Sequence, residues 1–227
     1  MRHKVAMLGV VFPSQFEGAE FLTRVKDKAP ARVQRDLPTW LGKLAGHEIA
    51  VGVIGMGPPH CASRVDAFIG YYQPKMLILA GFAGALDPAL KRGEVIINRG
   101  EGSIHTASDV IATAEDKARL LRETGSPLVD MESAHVAAIA EKRGIPLIVI
   151  RGVSDLADEA VPVDILCHSY DQQRGVTTPA KLGLHLATHW GDIGRLMRFL
   201  KPLSKVRRSL TSIVISEALR LNTAEAG

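Results

Sequence analysis

Residues 129 to 158 read Val129-Asp130-Met131-Glu132-Ser133, then an alanine-rich run, then Ile145-Pro146-Leu147-Ile148-Val149-Ile150-Arg151-Gly152-Val153-Ser154-Asp155-Leu156-Ala157-Asp158. The alanine-rich run has helical spacing, whereas Pro146 to Arg151 is short, apolar and followed by glycine, the pattern of a strand buried in a sheet. Glu132 then opens a helix and Asp155 stands just past a strand. Open α/β sheets build their binding crevices at such strand ends, and two carboxylates there point to chemistry.

The same alternation extends outward. His3 to Phe12, Glu48 to Gly55, Lys75 to Gly81 and Gly93 to Asn98 are further apolar, β-branched runs, and helical spacing marks Ala19 to Lys28, His60 to Tyr72, Glu115 to Glu123 and Met131 to Arg143. Strands alternating with helices indicate an α/β protein. Past an irregular stretch running through Pro162 and Gly175, helical patterning resumes from Pro179 to Trp190 and from Ile193 onward. Pro179 suits a first helical turn, and Pro202 is expected to break or kink the last helix. With 227 residues and 46% hydrophobic content the chain fits one sizeable domain, read as residues 1–190, followed by a basic extension, residues 191–227.

Composition narrows the function. Cys61 and Cys167 stand apart, with no Cys-x-x-Cys or paired-histidine spacing, so neither a disulfide framework nor a metal site is indicated. The apolar runs are too short to cross a bilayer, and Met1-Arg2-His3-Lys4 leads straight into strand-like sequence, so a cytoplasmic protein is expected. The net charge of +4 arises entirely after residue 190; with little aromatic interleaving and no nucleic-acid motif, nucleic-acid binding is not expected. Gly55-Met56-Gly57-Pro58-Pro59 and Gly81-Phe82-Ala83-Gly84 follow strands and offer backbone to a ligand or simply make tight turns. Neither matches a dinucleotide fingerprint or a P-loop, so no nucleotide cofactor is expected.

Taken in order, Gly55-Met56-Gly57, Ala80 to Ile97, Val129 to Ser133 and Ile150 to Asp155 resemble the purine nucleoside phosphorylase and nucleosidase superfamily, most of all the methylthioadenosine/S-adenosylhomocysteine nucleosidase type. The likeness runs from about residue 5 to residue 160. It implies a three-layer-like α/β/α domain around a central mixed, partly barrel-like sheet, a purine nucleoside as the small-molecule partner, and a homodimer.

Cleavage of an N-glycosidic bond passes through an oxocarbenium-like sugar, so the enzyme must assist the departing base, stabilise the sugar and supply a nucleophile. By resemblance Asp155 would protonate or hydrogen-bond the purine at N7, with Ser154 beside it at the substrate. Residue chemistry alone leaves Asp155 an N-cap or a salt-bridge partner of Arg151. Glu132 matches the residue that grips the ribose hydroxyls, with Met131 against the sugar; otherwise it only complements a helix dipole. Glu17, in Val11 to Gly18, takes the place of the base that activates water, and Glu20, one turn on, is the competing choice. Phe82 stands where serine is common, and Ile111 where an aromatic residue would stack on the purine. Between Asn98 and Thr106 relatives have a longer excursion.

Hydrolysis is the reading the resemblance favours, because the strand from Lys75 to Gly81 lacks the arginine that fixes phosphate in phosphorylases, although Arg24, Arg64 or Arg92 can stand in for it. A phosphorylase is the alternative, including one acting on a lipid-linked adenosine as in hopanoid synthesis; a nucleoside-binding protein without catalysis is the second. In the extension, Leu196, Phe199, Leu200, Leu203, Val206, Leu210, Ile213 and Val214 recur at helical spacing among basic residues. Such a segment packs on its own domain or a partner, or makes peripheral contact with an anionic membrane.

Overall fold

Side chains alternate faces along a strand, so a run that is apolar at every position requires cover on both sides. The computed structural model, which describes residues 7–34, 36–58, 60–99, 103–171 and 176–223, supplies that cover with helices on each face of a nine-stranded sheet. In chain order the elements are β1 (Leu8–Phe12), α1 (Gln15–Arg24), β2 (Lys26–Gln34), β3 (Leu37–Leu44), β4 (His47–Val53), α2 (His60–Tyr72), β5 (Met76–Ala85), β6 (Val95–Asn98) and β7 (Ile104–Thr106). There follow α3 (Ala114–Thr124), β8 (Leu128–Asp130), α4 (Ser133–Lys142), β9 (Leu147–Asp155), α5 (Val163–Leu166), β10 (Tyr170–Asp171), β11 (Val176–Thr177), α6 (Pro179–Thr188) and α7 (Trp190–Thr223).

The sheet is mixed. Strands β4, β1, β5 and β9 run parallel side by side, β2 and β3 extend one side antiparallel, and β6 flanks β9 antiparallel. Strand β5 branches: its first half pairs with β1, whereas Gly84 and Ala85 pair with β8, which carries β7 beyond it. Leu8, Val10, Ile49, Val51, Ile78, Ala80, Ile148 and Ile150 point to one face, under Phe21 of α1 and Leu210 and Val214 of α7. The alternate residues Val11, Ala50, Leu77, Leu79 and Val149 point to the other, under Val65 and Phe68 of α2 and Val136 of α4.

Several expectations shift. The helix read over Ala19 to Lys28 lies earlier, at Gln15–Arg24, because Ser14 caps it through the Glu17 amide; the chain then turns at Asp27 (φ 51°) within the edge strand β2. Pro202 does not break α7, which runs as one helix through it. The strand read over His3 to Phe12 is described from Leu8, its first residues lying outside the described range, as do Pro59, residues 100–102 and Gly175. Among the described residues no helix is long and apolar enough to cross a membrane.

Helix α7 belongs to the core. Leu196, Leu203, Val206, Leu210, Val214 and Ala218 are buried, and a Cβ at Gly152 of β9 would come within 2.9 Å of Val206 Cγ1. Much of the apolar face of α7 is therefore seated on the sheet, Phe199, Leu200 and Ile213 being only half-buried. Leu210→Ala is expected to cost about 2–5 kcal/mol, since the long helix cannot collapse into the void; the midpoint of urea unfolding measures it.

Candidate active site

Two ends of one strand segment organise the site. Glu17 lies in the first turn of α1, with its Oε2 accepting from Ser14 Oγ at 2.6 Å and its Oε1 accepting from the Phe82 amide at 2.7 Å. A Cβ on Gly81 would fall 2.3 Å from Arg151 Nη1 and 2.9 Å from Glu17 Oε1, so only glycine lets β5 pass beneath this pair. Three residues on, roughly 10 Å along the strand, Gly84 faces Asp155, whose Oδ2 would be 3.0 Å from a Cβ there. The β5–β9 register shifts between Ala83 and Gly84, leaving Ser154 as the extra residue, and such a bulge re-aims the side chain that follows it.

Arg151 is fully buried and gathers acids from the start of α4. Its Nη2 lies 2.5 Å from Asp130 Oδ2 and 3.2 Å from Glu132 Oε2, while Nε and Nη1 find no hydrogen-bond partner among the described residues. Asp130 also accepts from Thr106 Oγ1 at 2.9 Å and from the Ser133 amide and hydroxyl, and Thr106 Oγ1 accepts from the Ala134 amide. The first amides of α4 are thus satisfied without Glu132, which is released from capping. Its Oε1 accepts instead from the Gly57 amide at 2.9 Å, across a turn whose φ of 65° suits glycine. Tyr170 holds the same turn from outside, its hydroxyl accepting from the Met56 amide at 2.8 Å.

Burial dominates the electrostatics. It raises the Glu17 carboxyl above its ordinary range despite Ser14, Phe82 and Arg151, and it pushes Glu132 from 4.5 up to about 7 against the pull of Arg151. Burial also pushes Asp130 upward, but Arg151, Ser133 and Thr106 together bring it below the ordinary value. Two buried carboxyls with raised pKa values, Glu132 at about 7, therefore flank one ionised pair.

A stability consequence follows. A carboxyl whose pKa rises on folding stabilises the fold fully below its unfolded value, and that contribution is lost as pH rises through its folded value. Glu132 should therefore withdraw about 3 kcal/mol between pH 4.5 and somewhat above 7, with Glu17 acting in the same direction. Glu132→Gln is expected to flatten the decline in urea midpoint between pH 5.5 and pH 8; an equally steep decline in the variant would contradict this.

At the other end Asp155 is not paired with Arg151. Its Oδ2 lies 2.5 Å from Nζ of Lys117, a fully buried lysine of α3, and its Oδ1 lies 2.5 Å from Ser154 Oγ. Four residues along β9 separate Asp155 from Arg151 by roughly 13 Å, which rules out the salt bridge that residue chemistry alone left open. Of the remaining expected positions, Met131 is half-buried with its Cε against Gly57, Phe82 is half-buried and edge-on to Phe16, and Ile111 packs on Leu86, Ala107 and Val129. Glu20 points away and pairs with Arg24 at 3.3 Å, so Glu17 is the acid facing inward. Lys117, Asp130, Ser14 and Tyr170 were given no role from sequence. Among the described residues no group of three His, Cys, Asp or Glu is disposed to hold a metal ion.

The family model described as "Phosphorylase superfamily" matches residues 7–100 and 97–187. An aminodeoxyfutalosine nucleosidase of Helicobacter pylori is 34% identical over 99 residues, which are 43% of this chain and 43% of that protein, so the aligned region spans less than half of that relative. A 5′-methylthioadenosine/S-adenosylhomocysteine nucleosidase of a Marinomonas species is 24% identical over 172 residues, covering 54% of this chain and 74% of that one. Among solved structures, a methylthioadenosine/S-adenosylhomocysteine nucleosidase of Helicobacter pylori superposes with a TM-score of 0.72 at 18% identity, over 95% of this chain and 99% of the other. That likeness concerns the fold.

Proposed function

The chain belongs to the phosphorylase superfamily, and from that membership we propose that it is a nucleosidase hydrolysing the N-glycosidic bond of a purine nucleoside, in particular a 5′-substituted adenosine such as methylthioadenosine or S-adenosylhomocysteine. One observation carries the reading: two buried, proton-accepting carboxyls, Glu17 and Glu132, share Arg151 at one end of Gly81 to Gly84, and Asp155 stands at the other. A nucleoside laid between these ends meets an acid at the base and two at the sugar. Glu132 receives the ribose hydroxyls, with Met131 against the ring, and its charge favours the cationic sugar of the transition state. Glu17, its carboxyl raised above the ordinary range by burial, takes the proton of an attacking water. Asp155 assists the purine as it leaves.

Water suits this end better than phosphate. Three carboxyls already surround Arg151, and a phosphate dianion placed among them would face repulsion that a neutral water escapes.

A phosphorylase reading draws on Arg64. Arg64 is buried with its Nη1 2.5 Å from where a Cβ on Gly55 would lie, beside the turn that binds Glu132.

Incubating the protein with methylthioadenosine, S-adenosylhomocysteine, adenosine and inosine, with and without phosphate, and measuring released base separates these readings. Base release without phosphate is expected. Strict phosphate dependence would select the phosphorylase, and binding without turnover would select a nucleoside-binding protein.

A further inference from the structure

Lys117 contributes a buried cation to the base end of the site. Its side chain is wholly inaccessible, and its Nζ meets Asp155 Oδ2 at 2.5 Å, the Leu156 carbonyl at 2.7 Å and the Glu159 carbonyl at 2.9 Å. Each of the three hydrogens of an ammonium therefore has an acceptor. Of the groups beside the pair, Ser154 Oγ faces Asp155 Oδ1, and the Glu159 carboxylate is turned to Arg92 and to the Leu156 amide. Glu17, Glu132 and Asp130 engage Arg151 instead.

Resting on the reading of Asp155 as the residue that meets the purine, we propose that Lys117 is a positioning residue that acts through it, holding Asp155 in place as a carboxylate and supplying the proton that Asp155 passes to the departing base. As the C1′–N9 bond breaks, its electron pair moves onto the purine. N7 takes a proton from Asp155, which takes one from the Lys117 ammonium and leaves a neutral amine. The water oxygen bonds to C1′ and its proton goes to Glu17. Once the base has left, a proton from solvent returns to Lys117 through Asp155 and Glu17 gives one up, so the cycle closes.

A substrate whose leaving group needs no proton isolates this role. Wild type, Lys117→Arg and Lys117→Met are assayed on methylthioadenosine and on 4-nitrophenyl β-D-ribofuranoside, which departs as nitrophenolate, with thermal unfolding recorded for each. Arginine keeps the charge but cannot give up a proton, and should Lys117→Met not fold, it carries the comparison alone. Adenine release is expected to fall about 10²-fold or more, while nitrophenolate release stays within about threefold of wild type. Variants that slow both substrates alike, or neither, overturn the inference while leaving the nucleosidase reading intact. A wild type that releases no base overturns both.

Discussion

Asp155→Asn is expected to lower the rate of base release by about 10²–10⁴-fold, the range that one general acid supplies. The substitution keeps the shape of the side chain and removes its ability to relay a proton. It also leaves Lys117, which has no exposed surface, without its counter-charge. Breaking one half of a buried pair costs about 3–5 kcal/mol, so lost activity alone would confuse chemistry with unfolding. Combining Asp155→Asn with Lys117→Met removes both charges. The double variant should regain most of the stability in urea and none of the rate, and recovery of rate along with stability would show that Asp155 serves the fold only.

Arg151→Met should produce a large loss of stability. Its Nη2 lies within 3.2 Å of both Asp130 and Glu132, and Glu17 feels the same charge. Methionine approximates the aliphatic stem but abandons three buried carboxyls, at a cost of about 3–5 kcal/mol. The pH dependence identifies the mechanism. Burial already raises Glu17 and Glu132, and without Arg151 they rise further, so acid neutralises both and the deficit relative to wild type should be smaller at pH 5.5 than at pH 8. A deficit independent of pH would mean that the guanidinium matters for packing rather than for charge. Arg151→Lys should rescue only in part, because one ammonium cannot reproduce the fork of a guanidinium.

How much of this could be read from sequence depended on burial. The inner strands were legible because residues such as Val10 to Phe12 and Leu77 to Ala80 are apolar at every position, having helices on both faces. Strand β2, Lys-Asp-Lys-Ala-Pro-Ala-Arg-Val-Gln, was not, because it is an edge strand exposed along most of its length and carries no alternation. Glu17, Glu132 and Asp155 could be named from their motifs, but their partners could not. Asp130 reads as an ordinary acid until the start of α4 turns it onto Arg151. Lys117 sits in a polar helix, between Asp116 and Ala118, and looks solvated. One signal was available: Leu120 and Leu121 lie three and four residues on, which places Lys117 on the buried face of α3.

The seating of α7 has a consequence for how the molecule is made. Leu210, Val214 and Ala218 complete a core that also contains Leu8 and Val10, some two hundred residues earlier in the chain. During synthesis α1 covers only part of that face of the sheet, and the rest stays uncovered until α7 has emerged. Contacts of such long sequence separation slow folding and prolong the period in which a nascent chain is prone to aggregate. The seating of α7 at Gly152 therefore sets the moment at which the stretch of β9 that carries Arg151 and Asp155 is backed by a complete core.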